Sequence, residues 1–321
     1  MANYLVTGGA GFIGSNLVQV LLGRGDRVRV LDDFSTGKRK NLQLPDLSAD
    51  LVANLEVLEG NMADLAACRK ACEGVDYVLH QAAIPSVPRS VALPLESNRA
   101  NINGTLNLLM AARDGGIKRL IFASSSAIYG NSPGFPRVET IAPQPLSPYA
   151  VQKMTAEHYL RVFYELYGLE TVSLRYFNVF GPHQDPDSEY AAVIPKFIKA
   201  FIRGTQPTVF GDGEQSRDFT YVDNVVHGNL LAVEAPEAPG KTINLACGVQ
   251  LTLNQMLDTL RQITGSDTQA LYTDPRPGDV RHSWADIAVA EKVLGYTTQV
   301  AFEDGLAKTV EYFRSVFKER P

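Results

Sequence analysis

The chain has little cysteine, no concentration of charge of one sign and no long apolar run. Its three cysteines, Cys68, Cys72 and Cys247, cannot all pair, and Cys68-x-x-x-Cys72 falls in a helical pattern without histidines at ligand spacing. Small buried or half-buried thiols are expected rather than a disulfide framework or a metal centre. Thirty basic residues against 35 acidic ones give a net charge of -5, with no run of Lys or Arg. That balance leaves no electrostatic footprint for nucleic acid or an anionic membrane, and neither is expected as a partner. The first apolar run, Tyr4-Leu5-Val6, breaks into glycine almost at once, so it fits neither a signal-peptide core nor a membrane span, and a cytoplasmic protein is expected. Without a secretory signal, the acceptor-like Asn103-Gly104-Thr105 is a local coincidence. Internal repeats and low-complexity segments are missing too. What remains is an ordinary globular composition, 45% hydrophobic and 20% charged over 321 residues, enough for a large core and two lobes. Small-molecule chemistry is the expectation.

Residues 1 to about 175 alternate short β-branched runs with helical stretches. Strands are expected at 4–7, 27–32, 55–59, 77–80, 119–123 and 171–175. Their apolar residues run on rather than alternate, as in strands covered on both faces, and the spacers are long enough for helical crossovers. The fold class is therefore α/β, a Rossmann-type doubly wound parallel sheet. Beyond 175 the pattern loosens into turns at Gly181-Pro182, Gly211-Asp212-Gly213, 235–240 and 275–278, while 242–246 reads as one more buried strand. This organisation predicts a dinucleotide-binding domain of 1–175 with about 220–247. About 176–219 and 248–321 would form a smaller mixed α/β substrate-binding lobe over the sheet's carboxyl edge.

The first strand runs into Thr7-Gly8-Gly9-Ala10-Gly11-Phe12-Ile13-Gly14-Ser15 and then an apolar helix. Glycines at 8, 11 and 14 permit a tight turn, close backbone approach to a pyrophosphate and close helix–strand packing, with the phosphate on the helix N-terminus. The second strand ends in Leu31-Asp32-Asp33. A carboxylate at Asp32 can accept from both adenosine ribose hydroxyls and repels a 2′-phosphate, which favours NAD over NADP. Asp33 reads as a solvated loop acid. The fourth strand leads to His80-Gln81-Ala82-Ala83, small enough for a cofactor to lie on the backbone, and the fifth leads to Ser124-Ser125-Ser126 facing the same crevice. One serine hydroxyl there can share a proton with a substrate alcohol, while Ser124 is expected only to cap the following helix or satisfy backbone groups.

Ser147 and Pro148 are a helix start, which places Tyr149 and Lys153 one turn apart on a single face. An ammonium beside a phenol favours the phenolate, so Tyr149 is expected below its usual pKa of about 10 and ready to exchange protons.

The glycine turn, the serine run and Ser147-Pro148-Tyr149-x-x-x-Lys153 resemble the extended short-chain dehydrogenase/reductases. Among them the chain is most similar to the UDP-hexose 4-epimerases, especially those acting on UDP-GlcNAc and UDP-GalNAc. The likeness continues through Arg175-Tyr176-Phe177-Asn178-Val179-Phe180-Gly181-Pro182, 191–195, Ser216-Arg217-Asp218-Phe219 and 276–286. It implies Tyr149 as acid/base, Lys153 as its partner and a ribose contact, and Ser125 as the catalytic serine with Ser126 beside it. It further implies NAD held by Gly8, Gly11, Phe12, Ile13, Gly14, Asp32, Asn61, Met62, Gln81, Ala82, Ala83, Asn101 and Tyr176. Asn178, Arg217 and Arg276 match diphosphate-holding groups, Asp279 a uridine ribose contact, and Gln184, Val193 and Ser283 the remaining substrate wall. Two positions depart from the pattern: Asn61 replaces an aspartate but can still accept from adenine, and Pro85 replaces a lysine that some relatives direct at a cofactor phosphate.

Ser283 stands where a bulky tyrosine is associated with exclusion of N-acetyl sugars, so its small side chain implies UDP-GlcNAc/UDP-GalNAc turnover, alongside UDP-Glc/UDP-Gal, through a 4-keto intermediate. A 4,6-dehydratase would need acids where Ser126 and Ala127 stand. A UDP-glucuronate epimerase or decarboxylase shares the frame, and a non-catalytic dinucleotide sensor would have no need of the Tyr149–Lys153 pair. The resemblance also implies a homodimer through a four-helix bundle of 98–113 and 149–167, with Leu106, Leu109, Met110, Val151, Leu160 and Val162 on its apolar faces.

Overall fold

The expected strands form where the β-branched runs lie. In the computed structural model, which describes residues 1–186, 192–275 and 280–318, they are β1 (Asn3–Thr7), β2 (Arg27–Asp32), β3 (Leu55–Glu59), β4 (Tyr77–His80), β5 (Arg119–Ser125) and β6 (Glu170–Tyr176). With strand Thr242–Leu245 they make one sheet, ordered Thr242–Leu245, β6, β5, β4, β1, β2, β3, and every pairing is parallel. The chain reverses its direction of travel across the sheet at β1, so a crevice opens beyond the carboxyl ends of β1 and β4, where such folds bind ligands.

Successive strand residues point to opposite faces. Leu5, Val78 and Leu120 enter a core with Leu109, Leu160 and Phe163, while Val6, Leu79 and Ile121 enter a second core with Leu17, Leu21 and Val225. Cys68 and Cys72 lie in the first of these, and burial pushes both thiols up to about 12. A third core joins helices Val193–Arg203, Leu253–Thr264 and Phe302–Lys318 through Phe197, Met256, Leu257, Leu306 and Phe313. No helix among the described residues is long and apolar enough to cross a membrane.

The structure corrects several expectations. β3 is an edge strand with a half-exposed pattern, because β2 is its neighbour on one side only. Helix Ala288–Leu294, expected in the smaller lobe, instead buries Ala290 and Leu294 in the core of Val225 and Ile243, and Tyr296 just beyond it donates to the Ala246 carbonyl at 3.0 Å. The stretch 98–113 is not one helix: Pro94–Asn98 passes through a π turn at Arg99–Asn103 into Gly104–Asp114. Leu109 and Leu160, expected on an intersubunit face, are fully buried within the subunit, while Val151 stays 43% exposed.

Behind β5 and β6 lies a buried ion pair. Arg175 meets Glu157 through two hydrogen bonds of 2.9 and 2.8 Å, and Ser124 donates to the same carboxylate. Ser124 therefore satisfies this acid rather than capping the turn, a task that falls to Ser125. Removing one member of a buried pair leaves an uncompensated charge. Glu157→Ala is expected to lose about 3–5 kcal/mol in urea unfolding, whereas Glu234→Ala at the exposed Arg24–Glu234 pair should stay within about 0.5 kcal/mol.

Candidate active site

The turn after β1 is built by exclusion. Gly8 has φ +68°, and a Cβ on it would lie 2.7 Å from the Ala82 Cα; a Cβ on Gly14 would lie 2.2 Å from the Gly8 carbonyl oxygen. Side chains here would force β1 and β4 apart. Helix Phe12–Gly23 starts at Gly11 without a side-chain cap, leaving its first N–H groups for an anion. Asp32 accepts from the N–H of Ala10 at 2.9 Å and of Phe34 at 2.8 Å, and burial still pushes its carboxyl above the ordinary range. Each oxygen keeps a second lone pair for a ribose hydroxyl.

Two cofactor expectations change. The Asn61 oxygen accepts from Ala63 N–H and its amide nitrogen donates to Asp33, both at 2.8 Å, so the residue is aimed by its own turn and Asp33 is tied rather than merely solvated. Asn101 accepts from the Ile84 N–H at 2.8 Å and donates to the Ile84 carbonyl and to Gln152; it supports the loop after β4 rather than lining the crevice.

Helix Pro148–Tyr167 begins as its sequence predicts, with Ser147 accepting from Ala150 N–H at 3.2 Å. Its first turn is further fixed by Ser90, which accepts from Tyr149 N–H at 3.0 Å. The Ser125 hydroxyl lies close enough to the Tyr149 phenol to favour its phenolate. Lys153 is 4% exposed and donates to the Ala123 carbonyl at 2.6 Å, with its nitrogen 4.6 Å from the Phe122 ring centre and 5.9 Å from that of Tyr149.

The expectation of a lowered tyrosine is reversed. Burial pushes the Tyr149 phenol above its ordinary value, against the opposing influence of the nearby Ser125 hydroxyl, and the same burial pulls Lys153 down to about 7. Desolvation penalises both charged forms, and an ammonium directed at a backbone carbonyl does little for the phenolate.

A cavity of about 1470 Å³ joins Gly8, Gly11, Phe12, Ile13, Gly14, Asp32, Asn61, Met62, Gln81, Ala82 and Ala83 with Ser125, Ser126, Tyr149, Lys153, Tyr176, Asn178, Gln184, Arg217 and Ser283. Arg217 and Ser283 are register partners on neighbouring two-residue strands. Asp218 pins that region by accepting from the N–H groups of Cys247, Gly248 and Ala285. Asn178 has φ +30°, and Gln184 donates to the Val179 carbonyl at 3.2 Å while its buried oxygen has no partner among the described residues. Val193 packs on the third core instead of facing the cavity, and Arg276 and Asp279 lie outside the described residues.

Three contributors had no sequence signal. Ser90 is one. Asn229, fully buried on helix Val222–Glu234, links the hydroxyl of Tyr176 to Gln81. His183 hydrogen-bonds Ser15 at 2.8 Å, drawing the loop after β6 over the first helix.

The glycine cradle, the carboxylate at the end of β2 and the uncapped helix fit NAD, and the adjoining proton-transfer groups make this a dinucleotide-dependent α/β enzyme. The chain belongs to the NAD dependent epimerase/dehydratase family, whose model matches residues 4–246. It is 37% identical over 313 residues to the UDP-glucose 4-epimerase of Mycolicibacterium smegmatis, covering 97% of this chain and 98% of that one. The solved UDP-N-acetylglucosamine 4-epimerase of Methanobrevibacter ruminantium, in complex with UDP-N-acetylmuramic acid, is 44% identical with a TM-score of 0.92, covering 98% and 99% of the two chains. The UDP-glucuronic acid 4-epimerase of Bacillus cereus, solved with UDP-glucuronic acid and NAD, is 33% identical with a TM-score of 0.88 over 98% and 99%.

Gly14→Ala should weaken NAD binding roughly ten- to hundredfold by calorimetric titration, since the added carbon overpacks the turn. In cofactor-free protein, ultraviolet titration of wild type against Tyr149→Phe should assign Tyr149 a step above that of exposed tyrosines; a step near neutrality would contradict the burial argument.

Proposed function

We propose that this protein is a cytoplasmic NAD-dependent 4-epimerase of UDP-GlcNAc and UDP-GalNAc, with UDP-Glc and UDP-Gal as a second pair. The observation that carries the substrate choice is the register pairing of Ser283 with Arg217 on the cavity wall, which sets a small side chain beside a diphosphate-type cation. The neighbouring family members support the UDP-sugar class.

Gly8, Gly11, Gly14, Asp32 and Lys153 would hold NAD, which when bound supplies the hydride acceptor and donor for C4 and a positive charge that favours a nearby phenolate. Tyr149 takes the proton of the 4-hydroxyl and Ser125 shares it, both lining the same cavity. Inversion requires both faces of the sugar to meet the same groups. Arg217, with Arg276 and Asn178, therefore anchors the diphosphate by charge-assisted bonds, while the sugar itself is loosely held.

In this reading residues 1–175 with about 220–247 hold the cofactor, and the remainder, apart from helix Ala288–Leu294 in the core of the sheet, holds the UDP-sugar. A homodimer through the helices at 94–114 and 148–167 is supported by exposed apolar side chains there, Leu95 at 86%, Leu166 at 71% and Val151 at 43%. Sedimentation at micromolar concentration should give twice the chain mass.

Tyr149→Phe should retain NAD and lose roughly 10²–10⁴ in turnover. Ser283→Tyr should lower kcat/KM for UDP-GlcNAc about tenfold or more, ~1.4 kcal/mol, while leaving UDP-Glc within about threefold. Unchanged sugar preference in the mutant would refute the assignment of Ser283.

A further inference from the structure

Three arginines among the described residues are almost wholly buried, and two have an acid. Arg119 lies 2.7 Å from Glu170 and Arg175 lies 2.8 Å from Glu157. Arg137, 3% exposed, has no carboxylate within ion-pair distance among the described residues. Its guanidinium donates to the carbonyls of Ser132, Gly134 and Gly130 and lies 4.3 Å from the Phe135 ring centre. Burial weakens its hold on its proton. Three of its five N–H donors are thereby used, two have no acceptor among the described residues, and the residue lines the large cavity.

Its place in that cavity is fixed at both ends. Gly130, which receives one of its bonds, follows the turn that begins at Ser126, and the Arg137 N–H donates to the Trp284 carbonyl at 2.9 Å, next to Ser283. The residue thus joins the serine turn, through its guanidinium, to the strand that carries the small specificity residue, through its backbone. Arg89 lines the same cavity but is engaged by Glu96 at 2.5 Å, and Arg99 is an exposed residue of the wall.

A buried cation without a counter-charge, facing a ligand space, is a site for an anion. With the diphosphate assigned to Arg217 and Arg276, a neutral sugar would leave Arg137 uncompensated. We propose that Arg137 is a specificity-determining residue that receives a carboxylate borne by the sugar, so that the UDP-sugars this site takes best carry an acid group. The inference rests on the UDP-sugar reading and shifts its preferred substrate from the neutral sugars to acid-bearing ones. A carboxylate fits the two remaining donors as a charge-assisted pair, whether it comes from an ether-linked acid or from the exocyclic C6 of a uronate.

The single tryptophan, Trp284, stacks on Phe135 at 4.8 Å and reports on this corner of the cavity. Its emission should be titrated in the purified protein with UDP-GlcNAc, UDP-N-acetylmuramic acid, UDP-glucose and UDP-glucuronate, for wild type, Arg137→Gln and Arg137→Lys. At least one acid-bearing sugar should bind wild type about tenfold more tightly than its neutral counterpart, and which one does so identifies the source of the carboxylate. Arg137→Gln should abolish that ratio and Arg137→Lys should retain part of it. No acid preference in wild type, with UDP-GlcNAc still bound, overturns the proposal alone. Equal loss of acid and neutral sugars in Arg137→Gln also overturns it, since that marks a purely structural arginine. Failure of wild type to bind any UDP-sugar overturns the parent reading with it.

Discussion

The close approach of two backbones, Gly8 after β1 and Ala82 after β4, is the constraint on which the site depends. These strands are hydrogen-bonded neighbours at the point where the sheet order reverses, so the chain leaving them diverges and leaves a crevice. A methyl group on Gly8 would fill the space between them. Around that crevice the remaining pieces fall into place by ordinary means: a carboxylate held by two amides at Asp32, an uncapped helix at Gly11, and a helix start at Ser147 that sets Tyr149 and Lys153 against the fifth strand.

Burial then decides the chemistry. It strips water from Tyr149 and Lys153 together and disfavours the charged form of each, so the pair does not activate itself by proximity alone. The neighbouring Glu157–Arg175 pair shows the contrasting solution, in which two buried charges cancel through short bonds. Both arrangements sit on one helix, with Tyr149, Lys153 and Glu157 on successive turns of the same face.

The sheet was legible in the sequence because parallel strands covered on both faces need continuous apolar runs; seven runs read that way became its strands, although β3 at the edge is left half-exposed. The glycine turn, Asp32, the serines, Tyr149 and Lys153 were legible because each follows a strand or opens a helix at a fixed offset. Less visible was anything set by a distant partner. Asn229 reaches Tyr176 on β6 from helix Val222–Glu234, Ser90 holds Tyr149 from 59 positions away, and Arg137 acquires its meaning from the absence of an acid around it among the described residues. The sign of the Tyr149 shift belongs with these: spacing places the lysine nearby, but the Ala123 carbonyl decides where its ammonium points. Asn101 and Val193 illustrate the converse, side chains that matched a pattern and turned to structural tasks.

The return of helix Ala288–Leu294 to the sheet has an evolutionary consequence. Ala290, Leu294 and Tyr296 complete the core over strand Thr242–Leu245, after the chain has already built helix Leu253–Thr264 of the other core. The two halves are interleaved along the chain, and no single cut separates them. New substrate preferences in such an architecture cannot arise by exchanging a cassette; they must accumulate through replacements at wall positions such as Arg137 and Ser283, under a scaffold inherited whole.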